Sequence, residues 1–357
     1  MATSKKRKDG PSKMHAVTPT GKLKPSEVAK KTYDGGAQFV AMIEKKGWAA
    51  IMEEYKIGHR QAGSFMDINR DTRYVISLNV PPDGDYYDAN RVDLPDVEDK
   101  FIIAGMPSAD ITGRENFWRL VFDSAVTNVF IIDNLENTRT NPFIPLEAGK
   151  YADYGKMNVS NKKNETKKTD FQGVYEVLPE GCSNSIIIRL VHCIKWPENF
   201  DDKINRVHLL KGGPFLVVCK DGLTRSAVVI LAHAALSFVT TGKPVNMPLL
   251  LEKLRVQRFG AIQTVEEYLL AHVLVLEYIK MKCPSVQKQA DALTTAVGTQ
   301  LKKTTEEKSK DTKDTDNSTD QGKGKESPVA PPPEAPMVPS PMANPKSPVQ
   351  GSKEWTA

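Results

Sequence analysis

Cysteine is scarce: 357 residues hold only Cys182, Cys193, Cys219 and Cys283. No two of them stand at metal-ligand spacing, which excludes a disulfide-stapled scaffold and a zinc module and fits a reducing compartment. Long apolar runs are also missing. The best candidate, Ala227 to Val239, is interrupted and falls short of the roughly 20 residues a membrane helix needs. The lysine-rich opening lacks the apolar stretch of a secretory leader. Charge of one sign is weak, with 49 Lys and Arg against 44 Asp and Glu, a net +5 that does not call for nucleic acid. The expectation is an intracellular, cytoplasmic protein with no membrane span, metal or cofactor. The Lys5-Lys6-Arg7-Lys8 cluster has the composition of a nuclear-import signal and equally of a solvated basic terminus.

Large apolar side chains thin out at both ends. Residues 1–31 read as a disordered basic arm, and residues 284–357 as a disordered tail, charged and Thr-rich at first, then proline-rich from Ser327. Neither buries enough surface to offset chain entropy. Residues 32–283 remain for one large domain. In the tail, Pro331-Pro332-Pro333 favours the polyproline II shape that aromatic-lined grooves bind, which points to a proline-motif partner. Ser327-Pro328, Ser340-Pro341 and Ser347-Pro348 have the form of proline-directed phosphorylation sites.

Within the domain, Phe39, Val40, Ile43, Trp48 and Ile51 recur at near-helical spacing, predicting one amphipathic helix over 37–55. Short β-branched runs predict strands over 74–78, 101–104, 128–132, 173–178, 185–194 and 215–218. Helical patterns follow over 226–240, 248–257 and 264–281. This order predicts an α/β fold, a mixed central sheet with helices on both faces.

One junction carries chemistry. Cys219-Lys220-Asp221-Gly222-Leu223-Thr224-Arg225-Ser226 links an apolar strand to an apolar helix and fits C-x-x-G-x-x-R-S. A strand, a tight loop and a helix N-terminus make a nest of N–H groups that favours an anion. A thiol on its floor has its pKa lowered by the helix terminus and a cation, and Arg225 offers a planar fork to two phosphate oxygens. The bland alternative is a small buried cysteine at a strand end.

Four further pieces decide between them. Asp85-Tyr86-Tyr87-Asp88-Ala89-Asn90, Glu115-Asn116-Phe117-Trp118-Arg119, Trp196-Pro197-Glu198 with His192 four residues before the tryptophan, and the run from Leu254 to Tyr268 stand in one order. Together with the Cys219 loop they resemble the protein tyrosine phosphatase family over roughly residues 37 to 283. The resemblance implies that Cys219 attacks phosphorus to form a phosphocysteine and that Arg225 binds the equatorial oxygens. Glu198 stands where the family's loop aspartate protonates the leaving phenolate, Gln263 where a glutamine orients the hydrolytic water, and Ser226 where a hydroxyl assists sulfur departure. Glu136 is matched to a glutamate that braces the arginine. Phe65 replaces a pocket-walling tyrosine, and Asp67 matches an aspartate that fixes the ligand backbone. The implied partner is a phosphotyrosine-containing protein.

The departures point one way. Glu198 is a methylene longer than aspartate, Val218 replaces a histidine, and Asp221 replaces a small neutral residue. A carboxylate ~5 Å from a bound anion, at an effective dielectric of about 20, costs on the order of 3 kcal/mol per unit charge. Only 21 positions separate Glu198 from Cys219, and Asn199-Phe200-Asp201-Asp202 follows in place of Gly-Val-Pro. The aspartate in the loop resembles the catalytically silent domains of the islet-autoantigen receptors. A phosphotyrosine-binding domain of weak or no turnover leads; an active cysteine-dependent tyrosine phosphatase stays open, with a phosphoinositide phosphatase and a tail-borne scaffold behind.

Overall fold

The computed structural model describes residues 25–61, 71–78, 84–134, 138, 142–167, 170–193, 196 and 213–300. The Lys5–Lys8 cluster, Phe65, Asp67, Glu136, Glu198 and residues 301–357 lie outside them.

The expected strand before the phosphate loop forms as β9 (Phe215–Cys219), all five residues buried. It is apolar on both faces because it sits mid-sheet, parallel to β3 (Phe101–Gly105) on one side and β4 (Asn128–Ile131) on the other. β4 pairs in parallel with β8 (Ile186–Cys193). Antiparallel strands complete the edges: β1 (Arg73–Val75), β2 (Tyr86–Val92), β5 (Tyr151–Tyr154), β6 (Met157–Thr166) and β7 (Asp170–Pro179). The order across the sheet is β1-β2-β3-β9-β4-β8-β7-β6-β5, so the mixed α/β architecture expected from sequence is what forms.

Helices cover both faces. α1 (Pro25–Lys46), α2 (Trp48–Gln61), α4 (Arg225–Thr241), α5 (Met247–Gln257) and α6 (Val265–Lys282) share one core with the Cys219 side of the sheet. α3 (Ile111–Asp123) closes the other face with Phe117, Trp118 and Leu120 fully buried. Each such side chain contributes about 1.5–3 kcal/mol of transfer free energy. α4 is buried on nearly every side, which explains its continuous apolar composition.

Three boundaries differ from the sequence reading. The helix expected over 37–55 is two helices, because Gly47 takes φ +74°, a left-handed value that ends α1 at little steric cost. The basic arm stops earlier than residue 31, since α1 begins at Pro25 with proline in its first turn. The tail begins later than 284: residues 284–286 form a 3-10 turn and 287–300 are helical. Ala290 and Val297 are fully buried, and Trp48 Nε1 donates to the Leu293 carbonyl at 3.1 Å. Apolar residues at helical spacing within a polar stretch suffice to dock it.

Candidate phosphate-binding site

Cys219 is the last residue of β9, opposite Gly105 at the end of β3. In open sheets with parallel strands, ligands gather at the carboxyl ends of those strands. The chain then turns back on itself, with the Gly222 N–H donating to the Cys219 carbonyl at 3.3 Å. Gly222 has φ +63°, and a Cβ there would stand 2.6 Å from the Ala104 carbonyl carbon and 2.7 Å from the Gly105 nitrogen. Only glycine fits a position that is both left-handed and pressed against β3. α4 starts at Arg225, directly after the loop.

The Cys219 side chain is fully buried at the loop's centre. Ser226 Oγ lies 3.1 Å from its sulfur. The thiol donates to Asp221 Oδ1 at 3.2 Å. That same oxygen accepts the backbone N–H groups of Leu223 at 2.8 Å and Thr224 at 3.1 Å, and the Thr224 hydroxyl at 3.1 Å. Two amides of the loop, those of Leu223 and Thr224, thus converge on the Asp221 carboxylate. Thr224 caps α4 without a side-chain bond to the helix, its hydroxyl being turned to Asp221.

The thiol is shifted the opposite way from the lowering expected of a helix terminus and a cation. Burial raises its pKa, the Asp221 charge raises it further, and hydrogen bonds from Ser226 only partly oppose them. For Asp221 burial works to raise the pKa, but the hydrogen bonds from the Leu223 and Thr224 amides, the Cys219 thiol and the Thr224 hydroxyl win, and it is held below the usual carboxylate range. Two acids of opposite tendency thus share one proton contact, the thiol keeping the proton.

Arg225 is partly exposed at the loop's end, and its Nη1 donates to Asp133 Oδ1 at 3.0 Å. A second arginine fixes the loop from behind. Arg258, 3% exposed, donates Nε to the Gly222 carbonyl and Nη2 to the Asp221 carbonyl, and its Nη1 reaches Asp88 at 2.6 Å and Asn90 at 2.7 Å. Arg255 donates to the carbonyls of Ala261 and Ile262, and the Ile262 N–H donates to the Leu223 carbonyl at 2.9 Å. Ile262 holds φ +59° in that contact, an unusual value for a β-branched residue. The segment that carries Gln263 is therefore tied to the phosphate loop.

Comparison with known proteins agrees with this geometry: residues 65–277 match the protein-tyrosine phosphatase family. The chain belongs to that family. A Caenorhabditis elegans chain bearing a tyrosine-protein phosphatase name is 24% identical over 196 residues, 52% of this chain and 48% of that one. Human receptor-type tyrosine-protein phosphatase epsilon is 23% identical over 229 residues, 59% of this chain and 32% of that protein. Rat tyrosine-protein phosphatase non-receptor type 20 is 20% identical over 244 residues, 64% and 58%. The chain spans about half the length, or less, of the first two of these relatives.

Of the residues expected at the site of this phosphatase domain, Cys219, Lys220, Asp221, Gly222, Leu223, Thr224, Arg225 and Ser226 form one loop, and Gln263 stands next to a residue bonded to it. Glu198, Phe65, Asp67 and Glu136 fall outside the described residues. Asp133 was not singled out by sequence, and Arg258 and Ile262 stood in the matched run Leu254–Tyr268 without a role of their own. The alternation of acidic and amide side chains at Asp88 and Asn90 was the available signal for Arg258, since a buried guanidinium needs such acceptors. No helix among the described residues is long and apolar enough to cross a membrane, and no His, Cys, Asp and Glu group there is arranged to hold a metal ion.

Proposed function

We propose that this phosphatase-family domain captures phosphotyrosine-containing protein and hydrolyses the ester weakly or not at all. The observation that carries the reading is the hydrogen bond from the Cys219 thiol to Asp221 Oδ1 within the loop of amides. The amides and the Arg225 fork supply an anion site. The nucleophile needed for ester cleavage is a thiolate, and burial and the neighbouring carboxylate both disfavour it. Glu198 as a longer acid in a shortened segment, and Val218 in place of a polar brace, act in the same direction.

The second reading, an active tyrosine phosphatase working through a phosphocysteine, draws on Ser226 Oγ at 3.1 Å from the sulfur and on the tether that brings Gln263 to the loop. In that reaction Cys219 Sγ bonds to phosphorus as the phenolate leaves with a proton from Glu198, and water positioned by Gln263 then breaks the S–P bond. The proline-rich segment from Ser327 would recruit a partner with an aromatic-lined groove.

Turnover of 4-nitrophenyl phosphate by the full chain, beside Cys219→Ser, and retention of a phosphotyrosyl peptide, beside Arg225→Ala, separate the two. The leading reading expects peptide retention that needs Arg225, with phenol release within about tenfold of the Cys219→Ser background. Release about 10² to 10⁴ above that background establishes the enzyme instead.

A further inference from the structure

Resting on the reading of the loop as a phosphate site, we propose that Asp221 is the loop's internal ligand and sets its charge specificity: an oxyanion enters only in exchange for this carboxylate, with uptake of one proton. Asp221 is not a bystander near an open cradle. Its Oδ1 accepts the Leu223 and Thr224 amides at 2.8 and 3.1 Å and the Thr224 hydroxyl at 3.1 Å, while Oδ2 stands 3.2 Å from that hydroxyl. These N–H groups and the hydroxyl are the donors that a tetrahedral anion bound at the loop would also need. One N–H does not satisfy two full anionic acceptors at once, so the carboxylate and a phosphate compete for the same donors.

The charges facing Asp221 define what exchange requires. On its own loop are Lys220, the Cys219 thiol and Arg225, whose Nη1 is paired with Asp133 beyond β4. From α6, Glu267 is near enough that the Asp221 charge raises its pKa, although burial is the larger cause. From the end of α5, Arg258 donates to the Asp221 main-chain carbonyl and is neutralised by Asp88 of β2. No facing cation is left unpaired except Lys220 among the described residues, so a dianion brought beside an ionised Asp221 meets a site already balanced. A proton from solvent on the carboxylate removes one negative charge and converts Asp221 from a competing acceptor into an O–H donor toward the incoming oxyanion. The loop thus favours singly charged oxyanions over doubly charged ones at neutral pH, and favours both more as pH falls.

Inorganic sulfate is a suitable probe, since its own charge does not change between pH 5 and pH 8. Calorimetric titration of the full chain at pH 5, in two buffers of different ionisation enthalpy, counts the protons taken up. The expectation is close to one proton per sulfate for the unsubstituted chain, retained in Glu267→Gln and absent in Asp221→Asn. At pH 7, Asp221→Asn should bind sulfate at least roughly tenfold more tightly, because a full like charge is gone from a partly screened site. Asp221→Asn keeps an acceptor for the two amides, so the loop's turn is preserved; Asp221→Ala should bind at least as tightly as Asp221→Asn. Equal affinities and proton counts with and without the Asp221 charge, in binding that Arg225→Ala abolishes, would overturn the exchange while leaving the phosphate site standing. Loss of proton uptake in Glu267→Gln would assign the proton elsewhere and overturn it as well. Absence of sulfate binding in every variant would overturn both this inference and the function it rests on.

Discussion

Asp221 shows how much a single side chain changes when its direction is known. The sequence places a carboxylate two residues after the cysteine, and its charge alone argues for repulsion. The geometry adds that the carboxylate is held by four donors of its own loop, one of them the thiol. Two buried histidines are held uncharged for simpler reasons. His272 lies among the rings of Phe39, Trp48 and Tyr268 and donates Nδ1–H to the Tyr268 carbonyl. His192 donates Nδ1–H to the Cys193 carbonyl and accepts from the Thr138 hydroxyl at 2.7 Å. Burial is the chief cause that lowers both, each to about 4 from 6.5. The unfolded chain binds protons at these two sites below pH 6.5 while the folded chain refuses them until about 4. Stability from this source is complete above pH 6.5 and is lost as pH falls through that window, on the order of 3 kcal/mol per histidine at the acid end. His272→Phe is expected to lose markedly less stability than the unsubstituted chain between pH 7 and pH 4.5 in urea unfolding. An unchanged acid slope would remove His272 from the account.

Among the elements, the helix over 287–300 makes the sharpest claim. Truncation after Cys283, where composition alone puts the end of the domain, strips the cover from Trp48 and removes Ala290, Val297 and the Lys280–Asp291 ion pair. Truncation after residue 300 leaves them. The shorter chain should melt several degrees lower, as loss of a few kcal/mol does in a domain of this size, and the longer one should match the full chain; equal melting of the two truncations would contradict the packing. The elements that were legible share a cause. β9, α4 and α6 are buried on most sides, so their apolar runs are continuous and bounded by turn residues. β6 was missed because Met157–Thr166 is mostly polar: it owes its place to pairing with β5 and β7, and to Asn161, which donates to the Pro145 carbonyl. α1 was begun too late because Asp34-Gly35-Gly36 reads as a break. In the structure those glycines are points of contact: a Cβ on Gly35 would stand 2.2 Å from the Val239 carbonyl oxygen of α4, and one on Gly36 2.8 Å from the Cys283 sulfur. The phosphate loop was legible in full because its chemistry is contiguous. The supports come from two other places in the chain, Asp133 after β4 and Arg258 with Ile262 after α5, and only folding shows that they converge.

For the whole molecule, the architecture and the family are consistent with the anion site proposed at the carboxyl end of β9, before the first turn of α4. They leave the nucleophile's protonation to local forces: a buried sulfur, a carboxylate at 3.2 Å, and an arginine already paired with Asp133. The account joins a well-built anion cradle to a poorly ionised thiol. The rate of Cys219 alkylation by iodoacetamide as a function of pH, followed by mass spectrometry on the full chain, tests that pairing directly. The predicted profile has its midpoint above that of a free cysteine and moves down in Asp221→Asn, whereas a midpoint near or below neutral pH in the unsubstituted chain would contradict it.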